Sequence, residues 1–431
     1  MYSHPFSKNS LRNATRAGDS GRFNVNLEVD LENIIDEISE QIIENNLSFA
    51  HQRVSTKGGR NLYLLNEYKT VLALRAAAVS VAKSNRIRPA SRDKIIQGTL
   101  EALFDATPSY VIRCDFSSFY ENINVGQVID KIYTDTRTHP FLKNIFDGLK
   151  QNGILIPDTP GIPRGLGLSA TLSELRLKTF DDAIRKLPGV YRYFRFADDF
   201  VVFTIGDPID ALRQIQGLCG DDLKLNKQKT KPYRISALKD SDQKPCAEPA
   251  VEIDFLGYKF LVSQGVRGQN SRTVRVTISD KKIAKRKTRT ILALKEFKKS
   301  GHGELLLTRL QLVTSNMSIR RSGQSVGLRN SRVQTGIFFN YRACGTYICS
   351  GGRPVLDLRQ SVPELSQLDG FLQSLLWRPN SSFFNAIQTK LTANQKDRLR
   401  KFSFKQGFHK KMTIRLTRAE AADARKVWRH A

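Results

Sequence analysis

Asp198 and Asp199 are adjacent carboxylates between two apolar, β-rich runs, Arg192–Phe196 and Phe200–Thr204. Only Ala197 and the two aspartates separate those runs, so the segment reads as a tight hairpin with both acids at its tip. Two like charges in a turn without Gly or Asn are not explained by local propensity. Taken alone the pair reads either as a solvated loop or as a site for a hard divalent cation such as Mg²⁺, which prefers carboxylate oxygens, and what surrounds it decides between them. Asp115, 83 residues before Asp198, also ends an apolar strand, Tyr110–Cys114. Side by side, the two strand ends would put three carboxylates around a pair of ions, the arrangement that in-line phosphoryl transfer uses.

The rest of the chain supplies a polyanion-binding background. Its 431 residues carry 69 Lys+Arg against 41 Asp+Glu, a formal net charge of +28. A composition 40% hydrophobic and 26% charged is that of folded domains, so the charge belongs to a surface and nucleic acid is the expected partner. No apolar run reaches membrane-spanning length. The polar N-terminus lacks the apolar stretch of a secretory signal. The scattered cysteines (Cys114, Cys219, Cys246, Cys344, Cys349) define no zinc site and fit a reducing cytoplasm.

The elements that must position the carboxylates follow from periodicity. Residues 1–25 read as a flexible arm. Leu31, Ile34, Ile35, Ile38 and Ile42 recur at helical spacing among acidic residues. Arg53–Arg60 reads as a basic turn, Glu67–Ala82 as an Ala-rich helix, Lys83–Pro89 as a basic loop and Ile95–Phe104 as a helix. Ala170–Leu187 is helical, so strand, helix, hairpin and helix describe an α+β sheet domain. From Arg267 to Lys299 twelve Lys/Arg face only Asp280 and Glu296, on a strand (Thr273–Ile278) and a basic helix. Lys281, Lys285 and Arg289 share one face of that helix, and Lys282, Arg286 and Arg289 form an overlapping stripe. Residues 301–431 mix helical patterns (Leu305–Leu312, Leu365–Leu376, Asn385–Leu391, Ala419–Val427) with turns such as Gly351-Gly352.

Six segments together resemble the reverse transcriptases. Asp115-Phe116-Ser117-Ser118-Phe119-Tyr120 resembles their first palm motif, Pro163–Ser169 (PRGLGLS) the second, and Phe196-Ala197-Asp198-Asp199 the aromatic-x-Asp-Asp box. Leu225–Thr230 (LNKQKT) and Phe255–Tyr258 (FLGY) are similar to the two segments that follow, and Arg92–Gln97 to a fingers segment of group II intron and retron enzymes. All six occur in the family's order.

The resemblance implies a right-hand polymerase: fingers over 26–108, palm over 109–260, a basic thumb over 261–310 and a mainly helical extension over 311–431. It implies that Asp115 and Asp198 ligate two Mg²⁺ ions, or Mn²⁺ in their place, with Asp199 assisting and Phe116 lending a backbone carbonyl. Tyr120 would exclude a 2′-hydroxyl and select dNTPs, unless it is a core aromatic. Gly165 would let backbone approach the templating pair, and Arg164 replaces the family's usual Gln at a nucleotide contact. Lys229 would protonate pyrophosphate or else be a solvated lysine, and Lys83, Arg86 and Arg88 would grip the triphosphate. Lys281, Lys285, Arg286 and Arg289 would track duplex phosphates. Phe338, Phe339, Tyr341, Arg342 and Tyr347 would either read a structured RNA or fill the extension's core.

With no segment resembling a nuclease or integrase, the chain is most similar to bacterial defence-associated and abortive-infection enzymes. These make DNA during phage infection, some by copying a neighbouring non-coding RNA and some without an external template. A retron or group II intron enzyme, and a non-catalytic RNA-binding protein on a polymerase palm, are the alternatives.

Overall fold

The computed structural model describes residues 4–16, 19–55, 61–105, 107, 109–156, 161–236, 250–265, 272–320, 332–350, 353–357 and 362–428. Residues 56–60 of the expected basic turn, Cys246, Arg267 and the Gly351-Gly352 turn lie outside the described residues. The chain is mixed helix and sheet and divides into two compact units. One takes Met1–Ile95 and Ser109–Arg234, the other Ile96–Pro108, Ile235–Arg320 and Asn330–Ala431.

The first unit opens with α1 (Lys8–Ala14), α2 (Asp19–Phe23) and α3 (Leu31–Ile43), followed by the hairpin β1 (His51–Ser55) and β2 (Asn61–Leu65). Helix α4 (Tyr68–Ser84) follows; α5 (Arg92–Leu103) belongs to the second unit from Ile96 onward, and the first unit resumes with β3 (Ser109–Asp115). Then come α6 (Phe119–Asn122), α7 (Val125–Thr134), α8 (Pro140–Gln151) and α9 (Ser169–Ile184). The unit closes with β4 (Val190–Phe196), β5 (Asp199–Thr204), α10 (Pro208–Leu218) and β6 (Lys231–Ile235). Its sheet has the order β4-β5-β3-β6. Ile35, Ile38 and Ile42 of α3 and Leu72, Ala73, Leu74 and Ala77 of α4 are buried in one core with Phe180 and Phe200. The small side chains of α4 are what let a helix be buried on most of its circumference.

The N-terminus is not a free arm. Ser7 caps α1 by accepting from the Ser10 amide, and Phe6 and Leu11 are buried. Asp19 is buried and takes two hydrogen bonds from Arg75 (2.6 and 3.0 Å). Two apolar anchors and one buried ion pair thus fix a segment whose overall polarity suggested mobility.

The second unit contains β7 (Val251–Phe255), β8 (Tyr258–Val262), β9 (Val274–Ile278), α11 (Asp280–Ser300) and α12 (Gly303–Thr314). These are followed by β10 (Asn316–Arg320), β11 (Arg332–Gly336), β12 (Gly345–Ser350) and β13 (Arg353–Asp357). Helices α13 (Pro363–Trp377), α14 (Phe384–Lys390), α15 (Ala393–Arg400) and α16 (Phe404–His409), strand β14 (Thr413–Arg415) and helix α17 (Arg418–Arg425) end it. A five-stranded sheet runs β13-β12-β9-β8-β7 and a three-stranded one β11-β10-β14. Among the described residues of 311–431, these strands stand beside the expected helices, so the segment is mixed helix and sheet. β12 completes the sheet begun by β9, and β14 pairs in parallel with β10, partnerships across long sequence gaps that local periodicity does not reveal. Among the described residues no helix is long and apolar enough to cross a membrane.

Arg272, counted in the basic stripe on sequence grounds, is 1% exposed and structural. Its guanidinium donates to the carbonyls of Leu103 (3.0 Å), Asp105 (2.6 Å) and Ser236 (2.5 Å), all within the second unit. Arg272→Ala leaves these acceptors unpaired, so urea unfolding should show a loss of about 3 kcal/mol or more. An unchanged midpoint would mean that water replaces the guanidinium without cost.

Candidate active site

β3 and β5 are apolar because they form the buried centre of their sheet. Val111, Ile112, Cys114 and Phe200–Phe203 are all buried. Antiparallel pairing sets Asp115 opposite Asp199 and Phe196 opposite Asp199. The three carboxylates therefore meet at one end of the sheet, and the hairpin turn is just Ala197 and Asp198. Ala197 sits at φ 53°, the left-handed region, which costs a non-glycine residue about 1 kcal/mol. Two contacts hold the turn there. The Phe116 amide donates to the Asp198 carbonyl (3.1 Å), and Arg195 Nη1 donates to the Ala197 carbonyl (3.0 Å). Arg195 is itself gripped by α9, with two hydrogen bonds to Glu174 (2.9 and 2.7 Å) and two to Asp181 (2.7 Å each). The Tyr193 hydroxyl also donates to Asp181 (2.7 Å).

The cluster is electrostatically loaded. Burial pushes the Asp199 carboxyl up to about 6, Arg113 opposes the shift, and Asp115 and Asp198 reinforce it. Burial also raises Asp198, and the neighbouring Asp115 adds to that. Asp199 Oδ1 accepts no hydrogen bond, and the Arg113 guanidinium lies 3.6 Å from it. Lys229 Nζ donates to Asp115 Oδ2 (2.8 Å). That lysine is held by the segment behind it: the Asn226 amide donates to the Asp115 carbonyl (2.7 Å), and the Lys229 amide to the Asn226 carbonyl (3.1 Å). Among the described residues no three acidic, imidazole or thiol groups already converge as a cation's ligand set. Lys229 holds one oxygen of Asp115 instead.

Tyr120 and Arg164 come together. The Arg164 guanidinium lies 4.7 Å from the Tyr120 ring centre and donates to both oxygens of Glu121 (2.6 and 3.1 Å). Phe116 is buried among Phe119, Phe180 and Phe200. Gly165 has φ +98°, and a Cβ there would collide with the Tyr63 carbonyl oxygen of β2. Its close approach is therefore to β2, where a templating pair had been expected. The Tyr63 amide also donates to the Arg164 carbonyl (2.8 Å).

The expected triphosphate grip is split. Arg86 and Arg88 line a cavity of about 520 Å³ with Glu174, Asp181, Phe196 and Ala197. Lys83 lines a different cavity with Arg137 and His139. In the second unit, Lys281 and Lys285 are exposed along α11, whereas Arg286 and Arg289 turn inward. Arg286 donates to the Val313 carbonyl (2.5 Å) and Arg289 lies over the Trp428 ring (5.6 Å), so neither belongs to an open phosphate-binding stripe. Phe338, Phe339 and Tyr341 pack on Phe408, on one another and on Tyr258, and the Tyr347 hydroxyl donates to the Ala343 carbonyl (3.0 Å). Tyr341 is buried, Phe338, Phe339 and Tyr347 are half-buried, and Arg342 is exposed.

Sequence reasoning missed Glu121, Glu174, Asp181 and Arg195. Alternation along β4 carried one signal: Tyr193 and Arg195 share a face, and so face one set of partners. Asp199 also sets a pH dependence, read with chelator present. Its carboxyl titrates near 3.8 when unfolded and near about 6 when folded, so between those values the folded state holds a proton that the unfolded state has lost. Its contribution to stability falls as pH rises through that window. Asp199→Asn removes the effect, so urea unfolding should show the variant gaining on the parent between pH about 4 and about 6 and levelling off above. A constant difference would show that Asp199 keeps its ordinary titration.

No family model matches the sequence, and no curated protein is similar to it. Among solved structures, the chain is similar to apo telomerase from Candida tropicalis truncated from its C-terminal domain. Identity is 13% and the TM-score 0.32, over 53% of this chain and 58% of that one. It is also similar to telomerase from Candida albicans in complex with a fragment of telomeric RNA. There the identity is 13% and the TM-score 0.31, over 56% of this chain and 45% of that one. The chain thus spans less than two thirds of the length of either.

Proposed function

We propose that this chain is an RNA-directed DNA polymerase that extends a primer on an RNA template with dNTPs. The observation that carries the reading is the pairing of Asp115 with Asp199 beside Asp198, with Tyr120 five residues beyond Asp115. The residues fit a divalent cation. They offer hard oxygen donors, Asp199 Oδ1 is buried without a hydrogen bond, and burial, reinforced by the charge of Asp115, raises Asp198 and Asp199. Asp115, Asp198 and Asp199, with the Phe116 carbonyl, would hold two Mg²⁺ ions, or Mn²⁺ in their place. Such ions activate an attacking hydroxyl and stabilise the leaving pyrophosphate.

The chain's own residues do the rest. Tyr120, braced by Arg164, excludes a ribose 2′-hydroxyl. Arg164 is itself fixed by Glu121 and positions the ring. Lys229 pairs with Asp115 and would pass a proton to the leaving group. Arg86 and Arg88 bring cationic charge for the triphosphate. In this reading residues 26–108 are fingers, 109–260 palm and 261–310 thumb, with Lys281 and Lys285 on duplex phosphates. The motif set favours the bacterial defence-associated type, acting in the cytoplasm on a structured non-coding RNA; sequencing the RNA and DNA that co-purify during phage infection tests that assignment.

Asp198→Ala with Asp199→Ala should cut dNTP incorporation in a primer-extension assay with Mg²⁺ by about a thousandfold or more, with the fold retained by circular dichroism. Incorporation near the parent rate would remove the metal assignment, and a parent without incorporation would leave only an RNA-binding role. Tyr120→Ala should raise the ratio of ribonucleotide to deoxynucleotide use by about tenfold or more. An active variant with the parent's ratio would make Tyr120 a packing residue.

A further inference from the structure

The second unit holds a cavity of about 280 Å³ whose charged lining is entirely cationic. Arg286 and Arg289 reach it from α11 and Arg425 from α17, with Trp428, Met317 and Asn340 among its other walls. Among the described residues that line it, none is Asp or Glu.

The three guanidiniums are poorly compensated. Arg286 donates to the Val313 carbonyl (2.5 Å) and lies 5.4 Å from the Tyr341 ring centre. Arg289 lies over Trp428, and its buried Nε donates to nothing. Arg425 is exposed to solvent, and its one side-chain acceptor among the described residues is a thioether, Met317 Sδ at 3.6 Å, a weak acceptor. Burial holds Arg286 down to about 10 against the opposing charge and hydrogen bond of Tyr341, burial also lowers Arg425, and the charge of Arg289 adds to both effects. Arginine does not surrender its proton in proteins, so three like charges persist around one small cavity. A packing role alone would be filled better by apolar side chains. Guanidinium forks match phosphate oxygens and hold them with charge-assisted hydrogen bonds.

We propose that this cavity binds a phosphate monoester, carried either on a free nucleotide or on the 5′ end of a nucleic-acid strand. The dianion offsets the repulsion among Arg286, Arg289 and Arg425, and the volume accommodates a phosphate with little more than its sugar. The site is separate from the carboxylates and stands or falls independently of polymerase activity.

Trp428 gives a local readout. The chain has two tryptophans, and Trp377 Nε1 donates to nothing, so Trp377→Phe leaves Trp428 as the sole indole at little structural cost. The full-length variant is titrated at constant ionic strength with inorganic phosphate, with 5′-AMP and with a short RNA bearing a 5′-phosphate or a 5′-hydroxyl. Trp428 emission should change saturably, with Kd below about 1 mM for the best phosphate ligand. Arg289→Gln and Arg425→Gln, made separately, should each weaken binding by about tenfold or more. Arg425 is exposed, so its variant is expected to fold even if the Arg289 variant does not. Tighter binding of the 5′-phosphorylated RNA than of 5′-AMP assigns the strand end; equal binding assigns the nucleotide. No saturable change below about 10 mM would overturn the proposal. So would equal binding of the 5′-hydroxyl RNA, or an unchanged Kd in both arginine variants.

Discussion

Everything in the first unit answers to one constraint: three carboxylates brought to the same end of a buried sheet. Asp115 and Asp199 are opposed at the end of two paired strands buried on both faces, where Phe200, Val201, Val202 and Phe203 are all fully buried. Hydrophobic packing therefore forces together charges that repel in a medium of low dielectric. The surroundings relieve this only in part. Lys229 pairs with Asp115, Arg113 stands near Asp199 without closing a hydrogen bond, and Arg195 binds the turn's backbone. Burial and the charge of Asp115 accordingly raise Asp198 and Asp199.

Arg195 shows how such a strained arrangement is kept rigid. It carries two carboxylates of α9 and one carbonyl of the turn on a single guanidinium, which makes the helix and the hairpin tip one body. Buried pairs of this kind gain little over apolar packing, but they specify one geometry. Arg164 does the same work more openly, since Glu121 fixes its plane and the plane lies on Tyr120.

Local signals in the sequence located most elements of this site. The apolar runs at Tyr110–Cys114 and Phe200–Thr204, the helix over 170–187 and the basic helix after Ser279 all form where periodicity places them. What periodicity could not supply was pairing at a distance. Glu121 and Arg164 are 43 residues apart and Asp19 and Arg75 are 56 apart, and nothing local joins either pair. The same limit hid β12 and β14, whose partners are β9 and β10. It also hid the inward turn of Arg286 and Arg289, because a count of basic residues does not say which of them find aromatic rings.

Gly165 carries a consequence for how this chain can vary through descent. A side chain at 165 is vetoed twice, by a left-handed backbone and by the Tyr63 carbonyl in the space it would fill. The two vetoes have different origins, one intrinsic to the segment and one imposed by β2. A descendant that lost or shortened the β1–β2 hairpin would shed the second veto and keep the first, so the backbone alone would still favour glycine at 165. A lineage that keeps glycine there preserves the fit of that hairpin as well as a turn.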